Sequence, residues 1–391
     1  MIPQGYKHTE LGIIPQEWEA KRVKEICKID ANSLATKTPA EYEFDYISLS
    51  DVEDEKLEIQ TSHQIFKTAP SRARRILKKG DVVISTVRPN LKGFFMVKND
   101  AKDLIASTGF AVLSPLACCD STYLLSYFYS QAIDRQLHSL VVGSNYPAVN
   151  SKDVANIKIA VPPVEEQRKI AEILGVWDKA IELQARLVDK LELRKRALMQ
   201  RLLTGRLRLP GFSDPWQKVK LGDISHIQTG KRNGEEQIQN GLYPFFVRSN
   251  NIARINTYSF DGEAILIPGE GDIGNIFHYI VGKFDYHQRV YKISNFAETI
   301  CGKYVFYYMQ QYFRYHALSF TVKATVDSLR LPTFECFNIN IPDIIEQIKI
   351  VDVLETADKE IEIAKAKLAA YRTQKRGLMQ QLLTGKKRVK L

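Results

Sequence analysis

The sequence predicts an α+β protein with two globular modules that contain small mixed sheets. An antiparallel coiled coil of two long helices separates the modules, and the whole has a pseudo-twofold internal duplication. Three observations predict this fold. One segment occurs twice without a gap, at an offset of 180 residues. Each copy carries a heptad pattern of apolar residues. The segments before each copy contain short β-type runs broken by Gly, Pro and Asn.

The repeated segment begins at Pro162 in the first copy and at Pro342 in the second, and both copies end in Leu-Leu-Thr-Gly. The predicted seam of the first copy consists of Ile170, Leu174, Trp177, Ile181, Gln184, Val188, Leu191, Lys195, Leu198 and Leu202. The seam of the second copy consists of Ile350, Leu354, Ala357, Ile361, Ala364, Leu368, Tyr371, Lys375, Leu378 and Leu382. Because an apolar seam needs a partner, the two copies most simply pair with each other as antiparallel helices.

Both predicted helices have clear limits. Prolines precede each copy, and Asp343 with Glu346 is typical of a capping box. Gly205 and Gly385 stand where a left-handed residue commonly ends a helix. At 1.5 Å per residue, each helix would be roughly 60 Å long. Basic residues gather at both helix ends, which suits either the helix dipole or contacts to phosphate. They are Arg194, Lys195, Arg196, Arg201, Arg206, Arg208, Lys375, Arg376, Lys386, Lys387, Arg388 and Lys390.

The two modules are distant copies of each other. Trp18 and Trp216 each begin the pattern Trp-x-x-x-x-[Val/Leu]-x-x-Ile, whereas the middles of the modules do not match. Strands are predicted in residues 82–87 and 264–267, and helices in residues 122–140 and 303–318. A repeated frame around divergent middles is expected if the modules bind different targets. The predicted boundaries are 1–160 for the first module, 161–206 for the first helix, 207–340 for the second module and 341–391 for the second helix.

Composition restricts the class of protein. The 391 residues are 45% hydrophobic and 26% charged, which is typical of a folded chain. The formal net charge of +10 favours a polyanionic partner, nucleic acid before an anionic membrane, although a merely basic protein is an alternative. The five cysteines form no C-x-x-C pair, which indicates reduced thiols in a cytoplasm. No apolar run approaches the length of a membrane span, so we expect no membrane association.

No catalytic constellation is found in the sequence. It contains neither a phosphate-binding P-loop nor the Asn/Asp-Pro-Pro-Tyr/Phe motif of an amino-methyltransferase, and its histidines are scattered. The segment from Gly269 to Gly274 fits G-x-G-x-x-G, but a β-like stretch follows it instead of a helix. A glycine-rich hairpin is therefore favoured over a dinucleotide site. We expect a non-enzymatic protein with no metal site and no cofactor.

Candidate DNA-contacting residues occur in both modules, because Arg and Asn can bind guanine and adenine edges in a bidentate manner. For each of them a solvated surface residue is the alternative. In the first module they are Arg72, Arg74, Arg75, Lys78, Arg88, Asn90, Lys92, Ser144, Asn145 and Tyr146, with Lys79 beside them. In the second module they are Lys231, Arg232, Asn233, Arg248, Asn250, Asn251, Arg254, Lys323 and Arg330.

The order of module, helix, module and helix resembles the specificity (S) subunits of type I restriction–modification enzymes. Three local features carry the resemblance: the opening from Gly5 to Trp18, the Pro-Pro-x-x-Glu-Gln that begins at Pro162, and the Leu-Leu-Thr-Gly helix ends. The sequence departs from the family pattern in two places. Asp343 replaces the second proline of copy two, and the entry to the second module differs from that to the first.

The resemblance implies that the modules are target recognition domains, each of which reads half of a bipartite site in double-stranded DNA. It also implies that the helices set the spacer and dock two methyltransferase (M) subunits, which carry the S-adenosylmethionine site. Two motor-nuclease (R) subunits, which use ATP and Mg²⁺, can join the complex. Candidate docking residues are Glu166, Gln167, Glu346 and Gln347. Two alternatives stay open: the S subunit of a type IIB-like system, and a bivalent DNA-binding scaffold that has no methyltransferase.

Overall fold

The computed structural model describes residues 2–52, 59–100, 102–140, 148–320 and 328–390. The chain divides into two compact units. Unit 1 consists of Met1–Ala185 and Ala366–Leu391, and unit 2 consists of Arg186–Lys365. Each unit therefore combines one module with half of each long helix. The predicted boundaries give each long helix a segment of its own after one module. They do not include that the two halves of each helix belong to different units.

The first module contains two four-stranded sheets and two strand pairs among the described residues. Its strands are β1 (Tyr6–Thr9), β2 (Gly12–Pro15), β3 (Glu19–Arg22), β4 (Cys27–Ile29), β5 (Glu43–Ile47), β6 (Ser62–Ile65), β7 (Ala73–Ile76), β8 (Val82–Ser85), β9 (Phe94–Met96), β10 (Leu104–Ser107), β11 (Phe110–Pro115) and β12 (Lys158–Val161). Its helices are α1 (Val23–Ile26), α2 (Ser121–Phe128), α3 (Gln131–Leu140) and α4 (Ser151–Asn156). The sheet orders are β6-β5-β10-β7 and β4-β11-β8-β9. Since β5 and β10 are parallel and the other pairs are antiparallel, the expected mixed sheet is confirmed.

The predicted strand in residues 82–87 forms β8, in which all four residues are buried. Burial on both faces explains why this strand is a continuous apolar run without alternation. The single helix predicted in residues 122–140 is instead two helices, α2 and α3. The Asp120 side chain caps α2 by accepting hydrogen bonds from the backbone N–H groups of Thr122 and Tyr123, both at 2.9 Å.

The first repeated segment forms α5 (Val164–Leu202), and the second module follows it. The strands of this module are β13 (Gln217–Lys220), β14 (His226–Thr229), β15 (Tyr243–Phe246), β16 (Ile252–Ile255), β17 (Phe260–Pro268), β18 (His278–Tyr286), β19 (Val290–Ser294) and β20 (Asn338–Ile341). Its helices are α6 (Leu221–Ile224), α7 (Gly302–Phe320) and α8 (Leu331–Glu335). The second repeated segment forms α9 (Ile344–Leu382).

The second module is built on one six-stranded sheet, in the order β14-β19-β17-β18-β15-β16. The predicted strand at residues 264–267 lies inside β17, and the predicted helix at 303–318 lies inside α7. Strands β17 and β18 form an antiparallel pair on either side of the glycine-rich segment from Gly269 to Gly274. The predicted hairpin is confirmed at this segment, since no helix follows it.

The predicted seam is confirmed inside each unit. In unit 1 the start of α5 packs against the end of α9, where the rings of Trp177 and Tyr371 meet edge to face with centroids 5.9 Å apart. In unit 2 the end of α5 packs against the start of α9, where Lys195 Nζ lies 2.5 Å from Asp358 Oδ1. Lys375 and Asp178, the repeat-related residues, form the corresponding ion pair in unit 1. Both sets of contacts are those of antiparallel helices.

The helix ends are confirmed in part. Gly205 and Gly385 have φ values of +70° and +69°, the left-handed conformation that glycine adopts without strain. Asp343 caps α9, because its Oδ1 accepts the Ile345 N–H at 2.8 Å. The predicted capping box is wrong in its second half, since the Glu346 carboxylate instead accepts hydrogen bonds from Arg208 and Trp216.

Candidate nucleic-acid interface

In the first module the candidate surface is a strained turn that follows β8. The turn Pro89–Leu91 lies between Arg88 and Lys92, whose φ values of +47° and +53° are left-handed. This conformation costs roughly 1–2 kcal/mol for a residue with a side chain. The Tyr129 hydroxyl contacts the end of the turn, since it lies 3.2 Å from the carbonyl oxygen of Lys92, to which it can donate. The turn presents the exposed side chains of Arg88 and Asn90.

Apolar side chains lie beside these polar ones. Val87 and Leu91 are 37% and 50% exposed, which is high for residues of this type. Val87, Arg88 and Leu91 also line a cavity of about 160 Å³, together with Leu49 and Val52. A surface that combines Arg, Asn and exposed aliphatic groups can contact base edges, sugars and thymine methyl groups.

The basic cluster from Arg72 to Lys79 does not act as one surface. Arg72 and Lys78 are exposed, and Lys79 pairs at the surface with Asp100 at 3.0 Å. Two of the predicted DNA contacts are partly buried and make contacts inside the module. The guanidinium of Arg74 lies 4.9 Å from the centroid of the Phe66 ring. Arg75 pairs with Asp30 at 2.7 Å, with side chains that are 20% and 13% exposed.

Lys92 also has a structural role that the sequence did not predict. Its Nζ lies 2.8 Å from Asp134 Oδ1 and ties the turn after β8 to α3. The loop residues Ser144, Asn145 and Tyr146, and Lys323 of the second module, lie outside the described residues.

In the second module, three arginines gather around the glycine-rich turn. Glu270 lies between two of them: its Oε2 is 3.4 Å from Arg248 Nη1 and its Oε1 is 3.4 Å from Arg289 Nη1. Arg330 lies on the neighbouring segment, where the Leu329 N–H donates to the carbonyl of Gly269 at 2.7 Å. The three arginine side chains are exposed. They leave this turn with a net positive charge in spite of Glu270 and the exposed Asp272.

His287 stabilises the backbone next to the same turn. Burial, and then the positive charge of Arg248, lower its pKa, so the ring is neutral at pH 7. Its Nδ1 accepts the backbone N–H of Arg289 at 3.0 Å, a bond that a neutral ring can make. This bond holds the backbone at Arg289 and leaves its side chain exposed.

Other predicted contacts of the second module divide into two groups. Arg232 donates to the buried carboxylate of Asp285 at 3.1 Å, and Arg254 donates to the carbonyl of Gly241 at 3.0 Å. Both arginines therefore help to hold loops in place, and Arg254 remains exposed while it does so. The other exposed residues of this group are Lys231, Asn233, Asn250 and Asn251.

The two candidate turns occupy equivalent places in their modules. Val87 bridges to Ala148 in the first module, and Glu270 bridges to Ser328 in the second. Each turn therefore follows a central strand and is tied to the segment that leads toward the long helix. The two modules therefore share the backbone arrangement around the turn, whereas the side chains exposed there differ.

The predicted docking residues Glu166 and Glu346 are 0% and 1% exposed and bind within the chain. Glu166 accepts hydrogen bonds from Trp18 Nε1 at 3.0 Å and from Arg388 Nε at 2.7 Å. Glu346 accepts the repeat-related bonds, from Trp216 Nε1 at 3.2 Å and from Arg208 Nε at 2.8 Å. Burial contradicts a direct docking role for these carboxylates. They anchor the end of one long helix and the entry of a module to the start of the other helix.

Gln167 and Gln347 are also buried, at 1% and 0% exposed, and they are likewise unsuited to docking. Gln167 accepts the Asp120 N–H at 2.8 Å and donates to the carbonyl of Cys118 at 2.9 Å. Gln347 accepts the Cys301 N–H at 2.9 Å and donates to the carbonyl of Thr299 at 3.0 Å. The repeated Glu-Gln pair thus fastens each module to the start of the long helix that follows it.

The sequence did not mark Arg289, and it did not indicate that Arg208 and Arg388 bind the buried carboxylates of Glu346 and Glu166. Arg289 stands alone in its segment, so no local cluster marks it. Arg208 and Arg388 are repeat-related and follow the glycine at each helix end, and this symmetry was a signal that they share a structural task. Within the described part of the chain, no group of three or more His, Cys, Asp or Glu residues could hold a metal ion. In the same part, no helix is long and apolar enough to cross a membrane.

Comparison with known proteins agrees with this geometry. A family model described as the type I restriction modification DNA specificity domain matches residues 15–193 and 213–370. The MjaVIII type I restriction enzyme specificity subunit of Methanocaldococcus jannaschii is 27% identical, over 96% of this chain and 94% of that protein. The EcoDI specificity subunit of Escherichia coli is 30% identical, over 39% of this chain and 33% of that protein.

Solved structures share the fold. A chain from a study of complex assembly and conformational transition in a type I R-M system has a TM-score of 0.65 and 23% identity, covering 95% of this chain and 99% of that one. The S subunit of a type I restriction–modification system from M. genitalium has a TM-score of 0.62 and 14% identity, covering 94% of this chain and 96% of that one. At these identities the likeness concerns the fold alone.

Proposed function

The chain belongs to the type I restriction–modification DNA specificity family, and from that premise we propose that it recognises a bipartite DNA target and docks two M subunits. Each module reads one half of the site. The paired long helices set the spacer between the halves. Motor-nuclease subunits join the complex for restriction. The chain itself contributes recognition without chemistry, in the cytoplasm.

One observation carries this proposal. Two turns at equivalent places in a duplicated frame present different sets of polar side chains, Arg88 and Asn90 in one module and Arg248, Arg289 and Arg330 in the other. A duplicated backbone arrangement suits two modules that bind to one DNA duplex in the same way. Different exposed side chains suit two different base sequences.

The proposed M-subunit contact lies on the outer faces of the long helices, since the Glu-Gln pairs are buried. Leu183 and Ile363 are repeat-related and are 54% and 68% exposed. Aliphatic residues exposed at the same place in both repeats fit two copies of one partner, each of which covers an apolar surface.

The experiment combines this chain with its candidate M subunit and S-adenosylmethionine. We expect a stable complex that methylates adenine at one bipartite sequence, read out by sequencing of the methylated sites. The variant Leu183→Asp with Ile363→Asp should lose the complex while the isolated chain stays folded, as checked by circular dichroism. Absence of both a complex and methylation with the unaltered chain would contradict the proposal and favour a DNA-binding scaffold.

A further inference from the structure

Glu270 is an acidic side chain at the centre of a basic surface. Its carboxylate lies between Arg248 and Arg289, and its side chain is 23% exposed. On a surface that meets DNA, a carboxylate is repelled by phosphates, so its presence there needs a compensating contact. We propose that Glu270 reads cytosine in the half-site of the second module by accepting a hydrogen bond from the cytosine N4 amino group. This inference rests on the proposed function and extends it to one base.

The chemistry selects cytosine among the four bases. A carboxylate only accepts hydrogen bonds, and cytosine offers an amino donor in the major groove. Adenine also offers an amino group, but its N7 acceptor lies beside that group and repels a carboxylate. Guanine and thymine present acceptors in the same groove, so they give Glu270 no donor.

The neighbouring arginines complete the reading of one base pair. Both contacts to Glu270 are 3.4 Å long, whereas charge-assisted bonds are commonly 2.7–2.9 Å. The side chains of Arg248 and Arg289 are 54% and 61% exposed, so both guanidinium groups are accessible to DNA. Arginine is suited to the O6 and N7 atoms of guanine, the partner of cytosine in the pair. A carboxylate flanked by two arginines thus matches a C·G pair.

The backbone holds Glu270 in place before DNA binds. Glu270 bridges to Ser328, and a side chain on the preceding Gly269 would come within 2.9 Å of the Tyr291 ring. Gly271, on the other side, has a φ of +91°. Glycine on both sides lets the chain pass closely over Tyr291 and turn sharply, which orients the carboxylate. Preorganisation of this kind lowers the entropy that binding costs.

The test is the substitution Glu270→Gln, because glutamine has the same shape but favours adenine through its N6 and N7 atoms. The complex with the M subunit is offered a library of DNA sites in which the half-sites are randomised, and the methylated sequences are read. We expect one position of one half-site to lose its preference for cytosine by roughly 5- to 150-fold. The other half-site should not change. Glu298→Gln, at an exposed position of the same module, is the matched control and should leave both half-sites unchanged.

Two outcomes would overturn the inference. One is an unchanged recognition sequence for Glu270→Gln. The other is a uniform gain in DNA affinity at every sequence with a steeper salt dependence. That result would mean that Glu270 only repels phosphate groups and reads no base. The unaltered chain is measured in parallel. If it methylates no bipartite site, the proposed function fails, whereas a failure limited to Glu270→Gln concerns this inference alone.

Discussion

At the scale of single residues, Lys292 is unusual because it is a buried amine. It is 1% exposed, and its Nζ lies 3.4 Å from the centroid of the Phe260 ring. The ring face attracts the cation, but it replaces water only in part. Burial accordingly lowers the pKa of Lys292 to about 8. At neutral pH, below this pKa, the amine is therefore still mostly protonated, and keeping its charge buried lowers the stability of the second module.

We expect Lys292→Met to raise the free energy of unfolding at pH 7 by about 1–3 kcal/mol, because it removes this buried charge. In the unaltered protein, stability should rise between pH 8 and pH 10.5, since the unfolded chain binds the proton more tightly in that window. Urea unfolding at pH 7 and pH 10 measures the difference between the two proteins. Lys218→Met, at an exposed position, is the control. A loss of stability at pH 7 in Lys292→Met would count against this account.

Glu166 is a second buried charged residue whose contacts should affect stability, and it lies where the start of α5 meets the first module. Its removal in Glu166→Ala leaves the indole N–H of Trp18, which is 0% exposed, without an acceptor. We expect a loss of about 1–3 kcal/mol, the cost of a buried unsatisfied donor. Arg388 is 37% exposed and can be solvated, so it adds less. The midpoint of urea unfolding measures the loss, and Glu165→Ala at the exposed neighbouring position should change it little.

At the scale of elements, each long helix contributes to both compact units. Met379, Leu382 and Leu383 of the second repeat belong to the core that surrounds Trp18. The repeat-related Met199, Leu202 and Leu203 belong to the core of the second module. This burial explains why the sequences of the two helix ends are so similar, since each end must pack into the same kind of apolar core. The seam lysines and aspartates fix the register of the two helices.

Deletion of one heptad from both helices, residues 184–190 and 364–370, should shorten the permitted DNA spacer and keeps the proposed contacts Leu183 and Ile363. Seven residues span about 10 Å, which corresponds to roughly three base pairs of B-DNA. Methylated-site sequencing with the M subunit measures the spacer, and an unchanged spacer would refute the ruler hypothesis. Deletion of residues 184–190 alone is the contrasting variant. It displaces Lys195 from Asp358 and should reduce stability instead.

At the scale of the whole molecule, one frame is used twice with different exposed side chains. The net charge of +10 suits the phosphate backbone, which carries no sequence information. Under the proposed function, we expect discrimination between DNA sequences to come from a few groups at the two turns. Arg88 lies at the first turn and Arg330 lies beside the second turn. We therefore expect replacement of each arginine to affect a different half-site.

Arg88→Ala should weaken recognition of one half-site by about 1–3 kcal/mol, and Arg330→Ala should weaken recognition of the other half-site. Separate libraries, each randomised in a single half-site, measure the two effects. Lys24→Ala, at an exposed position in α1, is the control. A uniform loss across all sequences, with a shallower salt slope, would make either arginine a phosphate contact.

Much of the fold could be predicted because its signals are local or periodic. The heptad seam, the helix-ending glycines and the buried run of β8 each follow from neighbouring residues. The candidate surface was harder to predict. Arg88, Asn90, Arg248 and Arg330 were found from composition, but Arg289 was missed since its neighbours along the chain are not basic. Arg232 looked like a DNA contact because Asp285, its buried partner, is distant in sequence.

The sequence by itself determined the duplication, the two long helices, the α+β class of the modules and the family resemblance. These properties rest on spacing along the chain, which the sequence displays directly. Only the tertiary structure decided that each helix end completes the other repeat's module, and that Glu166 and Glu346 are internal anchors. It also decided which arginines are exposed. Charge and polarity are visible in a sequence, but burial and ion pairing depend on residues brought together from far apart.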